Sequence, residues 1–420
     1  VLGAGINRGL NRKNYAVCPS GAVRASRATD SGDKFAVFYE MIPDATFGVE
    51  VEGFMPGLKP ENDFNRIRRK MKTEKYAYEE DETLDTNSNF ATPVEMVTNI
   101  KKSPNDIREL HSNLCRLNDW GYFTNSTAGL HIHTGVKQWK THHCLSSDDA
   151  ESAPANLEEW DNPSEVRPNL SPFQMLFLKQ FVINMVSIEK EFYMISRLSD
   201  HSRPNGSSRF ESNDELYRKV AVAKTFGPLK DAVNPDGRDY NININAVEIH
   251  GTVEIRGFTN KNSDHMEVDP NITIRNIVFL QQVLIKTLKN DNIRNHLLSG
   301  RSIDDPVDLR PSEGLNEIVD NYVQHIFFLQ IIHAVAQRQT GKAIKTMEMI
   351  LQDEKYIKPE TIALVKAHVS KLPLHEAEQC FINALNGEES RLPAEFMKDR
   401  PNLTRSVSLR SMADHPEIPY

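Results

Sequence analysis

The sequence predicts an α+β protein in which antiparallel strands pack on helices. Three observations carry that prediction. Several short stretches alternate polar and apolar side chains with the period of a half-buried strand. One of them, residues 240–258, reads as a hairpin, which is antiparallel by construction. Two serine–proline pairs, Ser103-Pro104 and Ser171-Pro172, stand before long segments of helical periodicity, as an N-cap and first helical residue should.

The hairpin is the most informative stretch. Asn241, Asn243 and Asn245 fall on one face of its first strand, with Ile242, Ile244 and Ala246 on the other. His250-Gly251 supplies the break, and the second strand sets Val253 and Ile255 against Thr252, Glu254 and Arg256. Taken alone, Glu254 and Arg256 read equally as a surface ion pair worth about 0–1 kcal/mol.

The 420 residues allow one large domain with additions, or two domains. A net charge of -8 argues against a general nucleic-acid binder. Cys18, Cys115, Cys144 and Cys380 are scattered without a C-x-x-C pair, so neither a disulfide framework nor a cysteine zinc site is expected. No apolar run is long enough to span a membrane. The basic segment 1–33 is expected to be a flexible tail with no targeting role, a trimmed precursor or transit-like segment being the alternatives. The scattered cysteines fit a reducing compartment, and a cytoplasmic location is expected, with secretion or organelle import left open.

Further along, residues 34–39 and 46–54 read as strands. In the second, Glu50 and Glu52 share a face opposite Val49 and Val51, while Gly48 and Gly53 permit close backbone approach. Two acids on one face of an otherwise apolar strand repel each other and resist desolvation unless a cation is near. At ~3.3 Å per residue their Cα atoms lie ~6.6 Å apart. That separation suits carboxylates anchoring hard cations ~3.5–4 Å from each other; a solvated strand face is the plain alternative. Residues 55–91 are polar and charged, a loop or lid. Glu95 follows on a short strand, Pro93 to Val97, where by itself it reads as an exposed position.

After Ser103-Pro104, Ile107, Leu110, Leu114 and Leu117 recur at helical spacing and mark a buried face. Ala128 to Gly135 is a strand with His131 and His133 on one face and Leu130 and Ile132 on the other. Two histidines so placed read as ligands of a metal, zinc included, or of phosphate. Residues 137–170 lack periodicity and read as an insertion or surface loop. The helix from Pro172 to about Leu198 is apolar almost all round, hence central. Arg203 and Arg209 follow on a loop and either bind an anion or are solvated. A second amphipathic helix runs from Pro270 to about Lys289. Residues 300–395 are helical in pattern, and 396–420 should fray.

The ordered set Gly-Val-Glu50-Val-Glu52, Val-Glu95-Met-Val, Gly-Leu-His131-Ile-His133 and Gly-Thr-Val-Glu254-Ile-Arg256 resembles the amidoligase family of the glutamine synthetase and glutamate–cysteine ligase superfamily. The resemblance covers roughly residues 44–290. It implies a cupped antiparallel sheet of the glutamine synthetase catalytic type, within a catalytic domain at 34–299. It also implies an ATP-dependent ligase that joins a carboxylate to an amine, the substrates being metabolites, peptides or protein side chains. By the same resemblance Glu50, Glu52, Glu95, His131 and Glu254 hold two or three Mg²⁺ or Mn²⁺ ions, and Arg256, Glu52 and Glu254 serve catalysis. Arg256, Asn243, His133, Arg203 and Arg209 then contact the nucleotide. An oxygen-rich donor set with one imidazole agrees with Mg²⁺ or Mn²⁺ over zinc. Two rival enzymes stand beside this reading. A guanidino kinase would use arginines for its nucleotide, and a His-x-His hydrolase or oxygenase would leave Glu50 and Glu52 unexplained.

Overall fold

Alternation along four of the strands leaves one face of each almost wholly apolar, and burying that face fixes how they pair. The computed structural model describes residues 45–56, 76–80, 91–124, 128–189, 213–258 and 268–319, less a few single positions, together with Tyr322. These residues all belong to one compact unit, Ile42–Tyr322. Its strands are β1 (Phe47–Pro56), β2 (Tyr76–Glu80), β3 (Ala91–Thr98), β4 (Leu130–Gly135), β5 (Ile242–Asn243) and β6 (Thr252–Phe258). They form one antiparallel sheet in the order β2-β3-β1-β4-β6-β5.

Val49, Val51, Val94, Met96, Leu130, Ile132, Val253 and Ile255 are all buried. A slip of one residue would send these side chains to the opposite face, so the register is strongly specified. It sets Glu52 opposite Glu95, Glu50 opposite His131, and Glu254 between His133 and Asn243. The pairs Ile132 with Ile255 and Leu130 with Phe258 show that β6 advances one residue more than β4 between them, a bulge at Arg256-Gly257. The bulge returns Phe258 to the aliphatic side, where it is buried and meets Phe279 edge-on at 6.4 Å.

The helices are α1 (Pro104–Asp119), α2 (Leu157–Asp161), α3 (Pro172–Ser187), α4 (Asn213–Val222), α5 (Phe226–Val233), α6 (Ala246–His250), α7 (Pro270–Leu288) and α8 (Asp291–Leu298). Ser103 and Ser171 cap α1 and α3 as expected, each in a reciprocal box with Asp106 or Gln174. Helix α3 is buried on nearly every side and packs against α7. Its Lys179 ammonium donates to the carbonyls of Ala221 and Ala223, closing the end of α4, and burial pushes the Lys179 pKa down. Asn184 donates to Thr287 and Ser312, joining α3, α7 and the chain beyond α8 in one buried polar network.

Several expectations need correction. The hairpin pairing is present, but its first strand is only Ile242–Asn243. A helical turn, α6, replaces the rest of that strand, ending on Gly251 in the left-handed conformation at φ 71°. Asn243 Oδ1 accepts from the backbone N–H of Asn245, a local turn that competes with the ladder. Strand β2 lies inside the charged stretch read as a loop. Close packing does require Gly53, where a Cβ would fall 2.6 Å from the Phe123 carbonyl, but not Gly48, whose nearest neighbour would be 3.7 Å away. Described residues 305–314 are not helical, whereas 315–319 are. Residues 34–39, Cys18, Cys380, the helix beyond Glu189, Arg203 and Arg209, and the chain after Tyr322 lie outside the described residues.

Residues 137–170 are not a simple surface loop. Trp139 and Trp160 are buried, Trp139 donates to the Gly135 carbonyl at 2.9 Å, and its ring packs 5.6 Å from that of Phe177. Asp161 caps the turn at Thr141, and Arg294 of α8 pairs with Asp149 through two nitrogens. Trp139→Ala is expected to cost about 3–5 kcal/mol, the range for emptying an aromatic core site. Equilibrium denaturation measures it; a loss of a few tenths would mean that the tryptophan only covers the surface.

Candidate active site

The polar face of the sheet gathers side chains from five strands. From β1, Glu50 and Glu52 point to the same side, and β3 places Glu95, half-buried, directly across from Glu52. From β4, His131 is buried between the acids. Its Nδ1 lies 3.2 Å from Glu50 and 3.3 Å from Glu254, and its Nε2 lies 3.4 Å from Glu52. Donor atoms of Glu50, His131 and Glu254 all fall within 4.8 Å of one another, as do those of Glu52, Glu95 and His131. Two potential cation-binding sets therefore share one imidazole.

From β6, Arg256 donates to Glu254 Oε1 at 2.6 Å, and Asn243 of β5 donates to Glu254 Oε2 at 2.6 Å. The Asn243 amide is thus turned to the carboxylate. His133 Nδ1 sits 3.0 Å from the Thr252 hydroxyl. Its Nε2 is 3.0 Å from Glu50 Oε1 yet off the line of a hydrogen bond, so that buried nitrogen has no aligned partner. Phe54, Ala128 and Phe123 form a small apolar cluster at the Glu52 end of the row.

Electrostatics follow from this packing. Burial would raise the Glu50 pKa, but His131 and His133 hold it well below the usual carboxylate range. Burial would lower that of His133, while Glu50 beside it and Glu254 outweigh both burial and Arg256, so it lies above the ordinary histidine value.

Sequence reasoning passed over two contributors. The alternation places Thr252 on the face of Glu254 but assigns it no task; its hydroxyl lies 3.0 Å from His133 Nδ1 and orients that ring. Gly129 could not be assigned a task without the sheet: its N–H donates to Glu52 Oε2 at 2.6 Å, and a Cβ there would lie 3.2 Å from both Glu52 Oε2 and His131 Nε2. Gly129→Ala is expected to displace Glu52 from His131 and to weaken divalent-cation binding by about tenfold. Calorimetric titration with Mn²⁺ measures it, and unaltered affinity would show that the carboxylate has room to move.

The donor set fits a hard divalent cation, being rich in carboxylates beside one imidazole, in a cradle that a single methyl group would crowd. Among the described residues no helix is long and apolar enough to cross a membrane.

Comparison with known proteins agrees with the motifs. The family described as "Putative amidoligase enzyme" matches residues 70–278, a stretch that includes Glu95, His131, Glu254 and Arg256 but starts after β1. Comparison with curated proteins finds no match. Among solved structures, a bifunctional glutathione synthetase from Pasteurella multocida is similar at 11% identity and a TM-score of 0.33, over 82% of this chain. The chain spans 58% of that protein's length, and the likeness is too slight to bear on mechanism. From β2 into α7 the chain thus matches the amidoligase family.

Proposed function

We propose that the protein is an ATP-dependent carboxylate–amine ligase, working on a cupped sheet of the glutamine synthetase type within a catalytic domain at 34–299. The observation that carries this reading is the meeting of Glu50, Glu52, Glu95 and Glu254 around His131, with Arg256 at the edge of the group. Four acids on one partly buried face are costly without cations, and a phosphoryl-transfer site is where such a cost is repaid by function.

In this reading Glu50 and Glu254 would hold one Mg²⁺ or Mn²⁺ and Glu52 and Glu95 a second, with His131 lending its single unprotonated nitrogen to one of them, a third ion being compatible with the acid count. Divalent cations there offset the negative charge of the ATP phosphates. Arg256, held by Glu254 and fixed on β6, presents its remaining guanidinium N–H groups to the transferring γ-phosphoryl group. Asn243 keeps Glu254 oriented, and His133 lines the nucleotide side, with Arg203 and Arg209 proposed as further phosphate contacts. The substrate carboxylate attacks the γ-phosphorus, and the bond to the β-phosphate oxygen breaks to release ADP. The amine then attacks the acyl carbon, loses a proton, and expels inorganic phosphate. Phosphorylation turns a poor leaving oxygen into a good one. The substrates are a carboxylic acid and an amine, drawn from metabolites, peptides or protein side chains; neither nucleic acid nor membrane is required. The cytoplasm, where ATP and Mg²⁺ abound, is the proposed location.

The test is incubation with Mg²⁺, ATP, hydroxylamine and a panel of acids. A hydroxamate should form together with ADP and phosphate, because hydroxylamine captures an acyl phosphate. Release of AMP and pyrophosphate, or a phosphorylated guanidine in place of the hydroxamate, would overturn the reading.

A further inference from the structure

One buried carboxylate stands apart from the acid row. Glu189, just past the end of α3, accepts a hydrogen bond at 2.8 Å from Asn241 Nδ2, and both residues are buried. A carboxylate can only accept, so this bond fixes which way the amide faces: Nδ2 toward Glu189, Oδ1 away. Asn241 Oδ1 in turn lies 3.0 Å from where a Cβ on Gly257 would be. The carbonyl of the same asparagine accepts the backbone N–H of Arg256 at 2.8 Å. Asn241 therefore grips the β6 bulge at two adjacent residues, by its main chain at Arg256 and by its side chain against Gly257. A bulge re-aims the side chains beside it. The residue so aimed here is Arg256, whose guanidinium meets Glu254.

We propose that Asn241 and Glu189 are positioning residues for Arg256: the buried Glu189–Asn241 bond holds the β6 bulge in the shape that directs the guanidinium onto the acid row. Neither side chain is assigned a contact with substrate. The proposal rests on the reading of Arg256 as a phosphoryl-binding group only for its effect on turnover, and on the β6 geometry alone for its effect on structure.

The test exchanges the two partners. Asn241→Asp sets two carboxylates against each other and should break the bond. Asn241→Asp combined with Glu189→Gln restores one donor and one acceptor with the original net charge, and Glu189→Gln alone completes the double-mutant cycle. Amide hydrogen exchange of the full chain, read at the β6 peptide containing Arg256, should quicken about tenfold or more in Asn241→Asp and return to near wild type in the double variant. Exchange in α7 should stay unchanged throughout. ATP turnover should follow the same order, with kcat falling more than the KM for ATP. Unchanged β6 exchange in Asn241→Asp would overturn the proposal, as would a rise spread evenly over β6 and α7, or failure of the double variant to recover. Should wild-type protein turn over no ATP under any condition, the ligase reading falls, while the exchange measurements still decide this one.

Discussion

Replacing His131 with alanine is expected to lower ATP turnover about a thousandfold and to abolish stabilisation by Mg²⁺. The ring stands between Glu50, Glu52 and Glu254, with each nitrogen turned to a different set of acids. Its loss removes the one imidazole that either set can draw on, and it leaves Glu50, Glu52 and Glu254 without the ring that stands between them. Glu50 then loses one of the two imidazoles that hold its pKa down. Thermal unfolding with and without Mg²⁺ separates the effects. Wild-type protein should gain stability with the cation, about 2.7 kcal/mol at a hundred times Kd, and His131→Ala should gain almost none. A variant that keeps both its turnover and its Mg²⁺-dependent shift would remove His131 from the centre of the site.

Glu254→Gln should be nearly as damaging to turnover, by about 10²–10³-fold, while leaving the fold in place. The substitution keeps the shape and removes one charge. The amide keeps a single oxygen, so either Asn243 or Arg256 loses its acceptor and meets an NH2 group in its place. Relief of repulsion from Glu50 works in the other direction, so the midpoint of unfolding should move by only a few degrees, about 1 kcal/mol or less. Turnover at saturating Mg²⁺ is the measurement, and an undiminished rate would show that Glu254 is a structural anchor for Arg256 and nothing more.

The strands that carry the acids were legible because each has one face that must be buried. In β1, β3, β4 and β6, valines, isoleucines and leucines at every second position leave the acids and histidines a single side on which to lie. Helices α1 and α3 were legible through their serine caps and proline starts. The stretch at Asn241 to Val247 misled for a physical reason: asparagine alternating with isoleucine mimics a strand, yet the Asn243 side chain captures the N–H of Asn245 and turns the chain into α6. Strand β2 escaped notice because an edge strand in charged sequence is set by backbone pairing with β3, which has no period to read. Residues 137–170 are ordered by two tryptophans and by side-chain caps, again without periodicity. At the site, the residue types were readable, but the Gly129 bond to Glu52 and the Glu189 bond to Asn241 join positions far apart in the chain. Only the folded sheet brings such pairs together.

The strand order has a consequence for how the protein comes to be made. Strands β3, β1 and β4 are neighbours in the sheet and precede β6 in the chain, so Glu50, Glu52, Glu95 and His131 can assemble during synthesis before Glu254 and Arg256 have left the ribosome. Until β6 docks, β4 is an open edge lined with histidines, exposed to pairing with the wrong strand. Closing that edge requires a contact across everything from α2 to α6, a long loop whose entropy must be met before any reward arrives. Docking of β6 should therefore be the slow step of folding, and the arginine that completes the site would also be among the last residues to find its place.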